Sequence, residues 1–302
     1  MTPALEILWR LAICLLLAPL IPGIINKVKA WVAARQGPPL LQLYFDLARL
    51  WRKSTVLSTA VSPGHVAGPA VAWMAIAGAA VLLPLGPAGA GISFQGDALL
   101  FIYLLALARF CTTLAALDTG SAFEGMGAAR EVSYAVISEA AMITALLTLG
   151  LNSGSVSLGQ MLTPSAGTGA ALLAGGLFTV LLAENCRVPF DDPNTHLELT
   201  MVHEVLVLDH SGPPLAVILH GASLKLLLFA LLLVQAVLPI GRLTPWAAGG
   251  VLAGTVVLVA IGVGLVESLL ARFAFRRVPL LLTTAFLLCL FALLAVWKGG
   301  PA

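Results

Sequence analysis

PLAVILHGASLKLLLFALLLVQAVLPI, residues 214–240, carries two ionisable side chains, His220 and Lys225, in an otherwise apolar run. About 20 mostly apolar residues suffice to cross the hydrocarbon core of a bilayer. The stretch therefore reads as a spanning helix, and the lysine inside it demands a reason. Seven further stretches have the required length and hydropathy: about 4–25, 64–85, 97–118, 132–151, 167–184, 245–266 and 279–297. The whole chain agrees. Its 302 residues are 60% hydrophobic and 10% charged, where a soluble domain carries about 25% charged residues. With a mean hydropathy of +1.01, the expectation is an all-α integral membrane protein: a single polytopic domain, 1–302, of about eight transmembrane helices. The first span has Glu6 and Arg10 where a signal peptide would have a basic leader running into an apolar core, and no small-residue cleavage site follows. It is expected to be a retained anchor.

The distribution of Lys and Arg sets the orientation. The odd-numbered connections hold eleven of them (Lys27, Lys29, Arg35, Arg49, Arg52, Lys53, Arg130, Arg187, Arg272, Arg276 and Arg277), against Arg242 and Lys298 on the other side. The odd connections are expected to be cytoplasmic and both termini outside. Within the first of them, PLLQLYFDLARLWRKS places Gln42, Asp46, Arg49 and Lys53 at helical spacing against Leu40, Leu43, Leu47, Leu50 and Trp51. That is an amphipathic helix, about 39–53, lying at the cytoplasmic interface as a lipid anchor or as a docking surface. A net charge of +2 gives no footing for nucleic acid.

The densest polar segment is ENCRVPFDDPNTHLELTMVHEVLVLDHSGPP, 184–214, with six of the fourteen acids and three of the five histidines. His196, His203 and His210 stand seven apart, along one face of a helix starting near Asn194 or Thr195, and so about 10 Å from one another along its axis. That is too far for one metal ion. His203 and Glu204 open an HExxH-like string, but Val207 takes the place of the second histidine. Cys14, Cys111, Cys186 and Cys289 have no CxxC or cluster spacing. No metal or redox cofactor is expected in this chain. What remains is a set of carboxylates and imidazoles able to titrate and relay protons, or simply to keep the loop solvated.

Residues 183–212, AENCRVPFDDPNTHLELTMVHEVLVLDHSG, resemble the corresponding loop of the membrane subunit of energy-converting and formate-hydrogenlyase-type nickel-iron hydrogenases. That family is homologous to the membrane subunit beside the quinone cavity of respiratory complex I. RQGPPLLQLYFDLARLWRKS (35–54) and GMGAAREVSYAVISEAAMI (125–143) match in register, and the resemblance runs from about residue 30 to 235. Complex I members are similar to PFDLTEGESEL where this chain has PFDDPNTHLEL, which favours the hydrogenase branch. In the first loop Leu43 follows Gln42 and Ser54 follows Lys53, where family members often have QP and a closing KE.

The resemblance implies a membrane anchor and ion-coupling subunit in the cytoplasmic (inner) membrane of a bacterium or archaeon, next to an antiporter-like membrane subunit. The nickel-iron centre and iron-sulfur clusters would sit in soluble large and small partner subunits. Glu184, Arg187, Asp191, His196, Glu198 and Glu204 would face those partners, with Asp192 and His203 in the same loop. Asp46, Arg49 and Lys53 would mark the interfacial helix. The ionisable residues within or beside the spans, Arg109, Glu139, Glu184, His220 and Lys225, would form a polar ion path or, on a plainer reading, a buried structural pairing. A quinone-linked complex I subunit and a free-standing ion permease or antiporter are the competing readings.

Overall fold

The computed structural model describes residues 3–86, 89–162, 168–191, 202–240 and 243–299. Among the described residues there is no strand, and the α-helices run in the order α1 (Pro3–Leu17), α2 (Leu20–Val32), α3 (Gln42–Leu50), α4 (Pro63–Leu82), α5 (Asp97–Leu117), α6 (Ala122–Ser153), α7 (Leu158–Met161), α8 (Thr168–Glu184), α9 (Gly212–Val237), α10 (Pro245–Leu269) and α11 (Val278–Gly299). Seven helical runs are long and apolar enough to cross a membrane, α1 and α2 counting as one, and α8 is a shorter apolar helix in the place of the fifth expected span. The protein is an all-α, multi-pass membrane protein.

Two boundaries differ from expectation, both at the end of the bundle where the basic residues gather. The first span runs on to Val32 after a break at Ala18–Pro19, where proline removes a helical N–H. Lys27 and Lys29 therefore lie on α2 and not in a loop. Helix α6 begins ten residues before the expected start at 132, at Ala122, which puts Arg130 and Glu131 on a helix and leaves residues 118–121 as the connection to α5. Arg130 is expected in a connection, but no proline interrupts 122–131 and the helix runs through it.

Helix α9 is the most enclosed of the spans, with almost every residue from Leu224 to Ala236 buried. It packs against α4, α8, α10 and the interfacial α3. Helix α11 lies against α6 and α8, α10 against α2, and α4 against α5. Between membrane helices, close packing of small residues supplies the attraction that water supplies elsewhere. On α4, a Cβ at Gly68 would stand 2.9 Å from both the Ala115 Cβ and the Cys111 carbonyl of α5, so the absent side chain sets that approach. Helix α3 is shorter than the expected 39–53. Leu47 is buried, Phe45 and Trp51 are exposed, and Gln42 donates to Asp46 at 3.0 Å with Arg49 3.9 Å from Asp46. These are the marks of an interfacial helix whose short polar side is tied internally.

Candidate functional site

Four of the five ionisable residues expected for the ion path meet in one place. Arg109 on α5 pairs with Glu139 on α6 and, at 2.5 Å, with Glu184 at the end of α8. Lys225 on α9 stands 2.9 Å from the same Glu184 carboxylate and also donates to the Glu184 carbonyl at 2.7 Å, capping the negative end of α8. The second Glu184 oxygen accepts from Ser138 at 2.5 Å. Glu131, two turns before Ser138 on the same face of α6, lies 3.6 Å from Arg109 Nε. Thus four helices contribute to one cluster around a carboxylate that is itself buried.

The charge count matters more than any single distance. Two cations face three carboxylates, so with all five groups ionised the cluster carries a formal charge of −1. In a medium where an unpaired charge costs several kcal/mol, that imbalance makes the members of the cluster depend on one another. Glu139 is the most accessible of the three carboxylates, its side chain about one third exposed, and Glu184 the least.

A cavity of about 250 Å³ opens beside the cluster. Its wall runs from Leu43 of α3 and Asn26 of α2, past Trp73 of α4, to Arg109, Glu131, Glu184 and Lys225, and on to Arg187, Asp191, His203 and Glu204 of the loop. His220 takes no direct part in the cluster. Its Nδ1 accepts from the Trp73 indole at 2.9 Å and its Nε2 lies 3.1 Å from the Leu15 carbonyl. The first bond needs a neutral Nδ1, so the second is donated by Nε2–H.

The loop after α8 is stapled to the bundle. Cys186 adopts a left-handed backbone (φ 48°) that closes the helix end, with Arg187 N–H donating to the Leu182 carbonyl. Arg187 then reaches Glu267 on α10 at 3.3 Å, where Lys29 of α2 is 2.8 Å away. Asp191 is buried, 3.1 Å from Arg272, and accepts from the backbone N–H groups of Val202 and His203 at 2.9 and 3.1 Å. Further on, a 3-10 turn at Glu204–Val207 packs on Gly127 of α6, where an added Cβ would collide with the Val205 side chain. His210 stacks on His65, ring centroids 4.0 Å apart. Burial, with His65 adding to it, lowers the pKa of His210 to about 4.

Some loop expectations are therefore revised. His203 and His210 do not lie along one helical face: only a single 3-10 turn separates them, with His203 at the cavity and His210 buried against α4. Arg187 and Asp191 form ion pairs within the chain instead of presenting free charge outward. Asp192, His196 and Glu198 lie outside the described residues. Asp46, Arg49 and Lys53 are on or just after α3, away from the cluster. Sequence reasoning missed Glu131, Ser138 and the Lys29–Glu267–Arg187 triad. For the first two a signal was present, because Glu131 and Ser138 are seven apart and share a face once α6 is allowed to start early. For Glu267, at the end of an apolar span, only the fold reveals the partners.

Known proteins resemble this one over most of its length. A family model described as NADH dehydrogenase matches residues 5–298. Hydrogenase-4 component C of Escherichia coli (strain K12) is 34% identical over 238 residues, covering 76% of this chain and 74% of that protein. Formate hydrogenlyase subunit 4 of the same organism is 30% identical over 275 residues, or 88% of each. Among solved structures, a chain of the membrane-bound sulfane sulfur reductase, an archaeal respiratory membrane complex, has a similar fold with a TM-score of 0.83, covering 98% of this chain and 99% of that one at 19% identity.

Proposed function

The chain belongs to the NADH dehydrogenase family and is a membrane subunit of a complex I-like complex, and on that footing we propose that it anchors and couples a membrane-bound hydrogenase of the formate hydrogenlyase type. In this reading it resides in the cytoplasmic membrane of a bacterium or archaeon with both termini outside. Its cytoplasmic side docks a soluble nickel-iron large subunit and an iron-sulfur small subunit, which hold all the redox centres. An antiporter-like membrane subunit stands beside it, and the Arg109–Glu184 cluster passes the effect of redox events to moving ions.

The observation that carries this reading is the continuous cavity wall, which joins loop residues His203 and Glu204 to the buried cluster of Arg109, Glu184 and Lys225. Charge arriving at the loop acts on the cluster across this cavity and biases the balance among its charged groups. Asp191 and Arg187 serve by fixing the loop, so the docking charges fall to Asp192, Glu198 and Glu204, and to the exposed Arg49 and Lys53 beside α3. Hydrogenase is preferred to quinone as the electron partner on two grounds. The loop departs from the complex I pattern, and the cavity is smaller than the 300–1,000 Å³ usual for sites that bury a small organic ligand.

The deciding experiment is affinity purification of the tagged chain from membranes in mild detergent. Soluble nickel-iron and iron-sulfur proteins are expected to co-purify, and to be released by Asp192→Lys with Glu198→Lys while the chain stays inserted. Recovery of the chain with no soluble redox protein contradicts the proposal and returns the free-standing permease.

A further inference from the structure

Beside the ion-pair cluster, but not required by it, three different metal-ligating side chains converge. Glu131 comes from α6, Cys186 from the left-handed turn that ends α8, and His203 from the far end of the loop. One donor atom of each lies within 4.8 Å of the other two. Cys186 Sγ is already 3.6 Å from a Glu131 oxygen. All three residues line the cavity, so a fourth position opens onto it. Nor is the arrangement a chance of loose side chains. Cys186 is fixed by the α8 cap, and the backbone N–H of His203 is held by the buried Asp191 carboxylate at 3.1 Å.

We propose that Glu131, Cys186 and His203 form a binding site for a soft divalent cation, zinc above all, with its open coordination position facing the cavity. A thiolate, an imidazole and a carboxylate together select zinc-like ions over magnesium or calcium, which take all-oxygen sets. Zinc bonds of about 2.0–2.3 Å place tetrahedral ligands roughly 3.3–3.8 Å apart, so closure by about 1 Å completes the set. Burial first, and the Glu131 and Asp191 charges after it, raise the Cys186 pKa well above the ordinary thiol value. Uptake therefore exchanges M²⁺ for the thiol proton, which leaves to solvent as the sulfur–metal bond forms. The bound ion also draws Glu131 from Arg109, removing one carboxylate from the cluster and cancelling its excess negative charge. Binding itself is independent of the coupling role proposed above.

Cobalt(II) is the probe, titrated into the purified full-length chain in detergent. A thiolate-to-cobalt charge-transfer band in the near ultraviolet, saturating at one cobalt per chain and displaced by zinc, is expected. It should persist in Cys111→Ser, vanish in Cys186→Ser, and require on the order of tenfold more cobalt in His203→Ala. Because Cys186→Ser alters a residue held at positive φ and in contact with Glu131, a second measurement uses the wild-type chain: zinc should slow alkylation of Cys186 by N-ethylmaleimide, read by peptide mass spectrometry. Absence of the band in the wild type, its survival in Cys186→Ser, or alkylation of Cys186 at an unchanged rate with zinc overturns the proposal.

Discussion

Asp97 and Glu184 are both buried carboxylates in apolar surroundings, and they are kept there by opposite means. Asp97, in the first turn of α5, meets no cation among the described residues. Its oxygens accept from the Leu158 N–H at 2.5 Å, the Ser157 hydroxyl at 3.1 Å and the Phe94 N–H at 3.2 Å. Glu184 is held by Arg109, about three helical turns along α5 from Asp97, and by Lys225, with help from Ser138. The first carboxylate has local, neutral donors and the favourable N-terminus of a helix. It joins α5 to the turn before α7 and has nothing to exchange. Glu184 shares Arg109 with Glu139 and Glu131, so a change at one member shifts the others. The proposed coupling role rests on this difference between charge that is shared and unbalanced and charge that is merely buried.

The largest test of that contrast is Arg109→Leu, which leaves Glu139 without its cation and Glu184 with Lys225 alone. Uncompensating a buried pair costs about 3–5 kcal/mol, so the variant is expected to unfold at markedly lower temperature in detergent and to accumulate poorly. A wild-type melting profile would show the cluster to be dispensable. Asp97→Asn comes next, removing charge-assisted bonds worth about 1–3 kcal/mol. It should lower thermal stability while leaving ion movement per assembled complex unchanged. Loss of ion movement at full assembly would erase the distinction between the two carboxylates.

The smallest effect concerns His210, which belongs to neither region but docks the 202–211 segment on α4. His65 faces it from α4, and Glu124 of α6 holds the neighbouring residue by accepting the Asp209 N–H at 3.1 Å. With a folded pKa of about 4, below the roughly 6.5 of a free histidine, His210 stays neutral when docked, whereas the undocked segment takes up a proton. Its contribution to docking is full above about pH 6.5 and declines as pH falls towards 4. Hydrogen exchange in 202–211, corrected for intrinsic rates, should rise over that window and lose its pH dependence in His210→Phe. An unchanged profile in that variant assigns the dependence elsewhere.

The sequence disclosed most of the fold, because spanning helices announce themselves by length and hydropathy, and each expected span has a helix at its place. It disclosed Arg109, Glu139, Glu184 and Lys225 for a related reason: a charge in an apolar run is conspicuous. It did not disclose that they touch, since their contact depends on how α5, α6, α8 and α9 pack. Glu131 escaped notice because charge near the start of α6 looked like loop, and a helix that leaves the apolar zone keeps its periodicity but loses its hydropathy signal. Arg187 and Asp191 looked like outward-facing charge for the same lack of tertiary information. Their partners Glu267 and Arg272 lie about eighty residues further along the chain.

Glu139 gives the most direct test of the central claim, that the cluster couples redox change to ion movement. Glu139→Gln keeps the size and hydrogen-bonding capacity of the side chain but removes its proton exchange. The measurement is the membrane potential built by inverted vesicles carrying the assembled complex, with electron transfer to an artificial acceptor in detergent as the control. Full assembly and persisting electron transfer with a collapsed potential is the predicted result. A potential equal to wild type in the assembled variant would make Glu139 a structural charge and contradict coupling through this cluster.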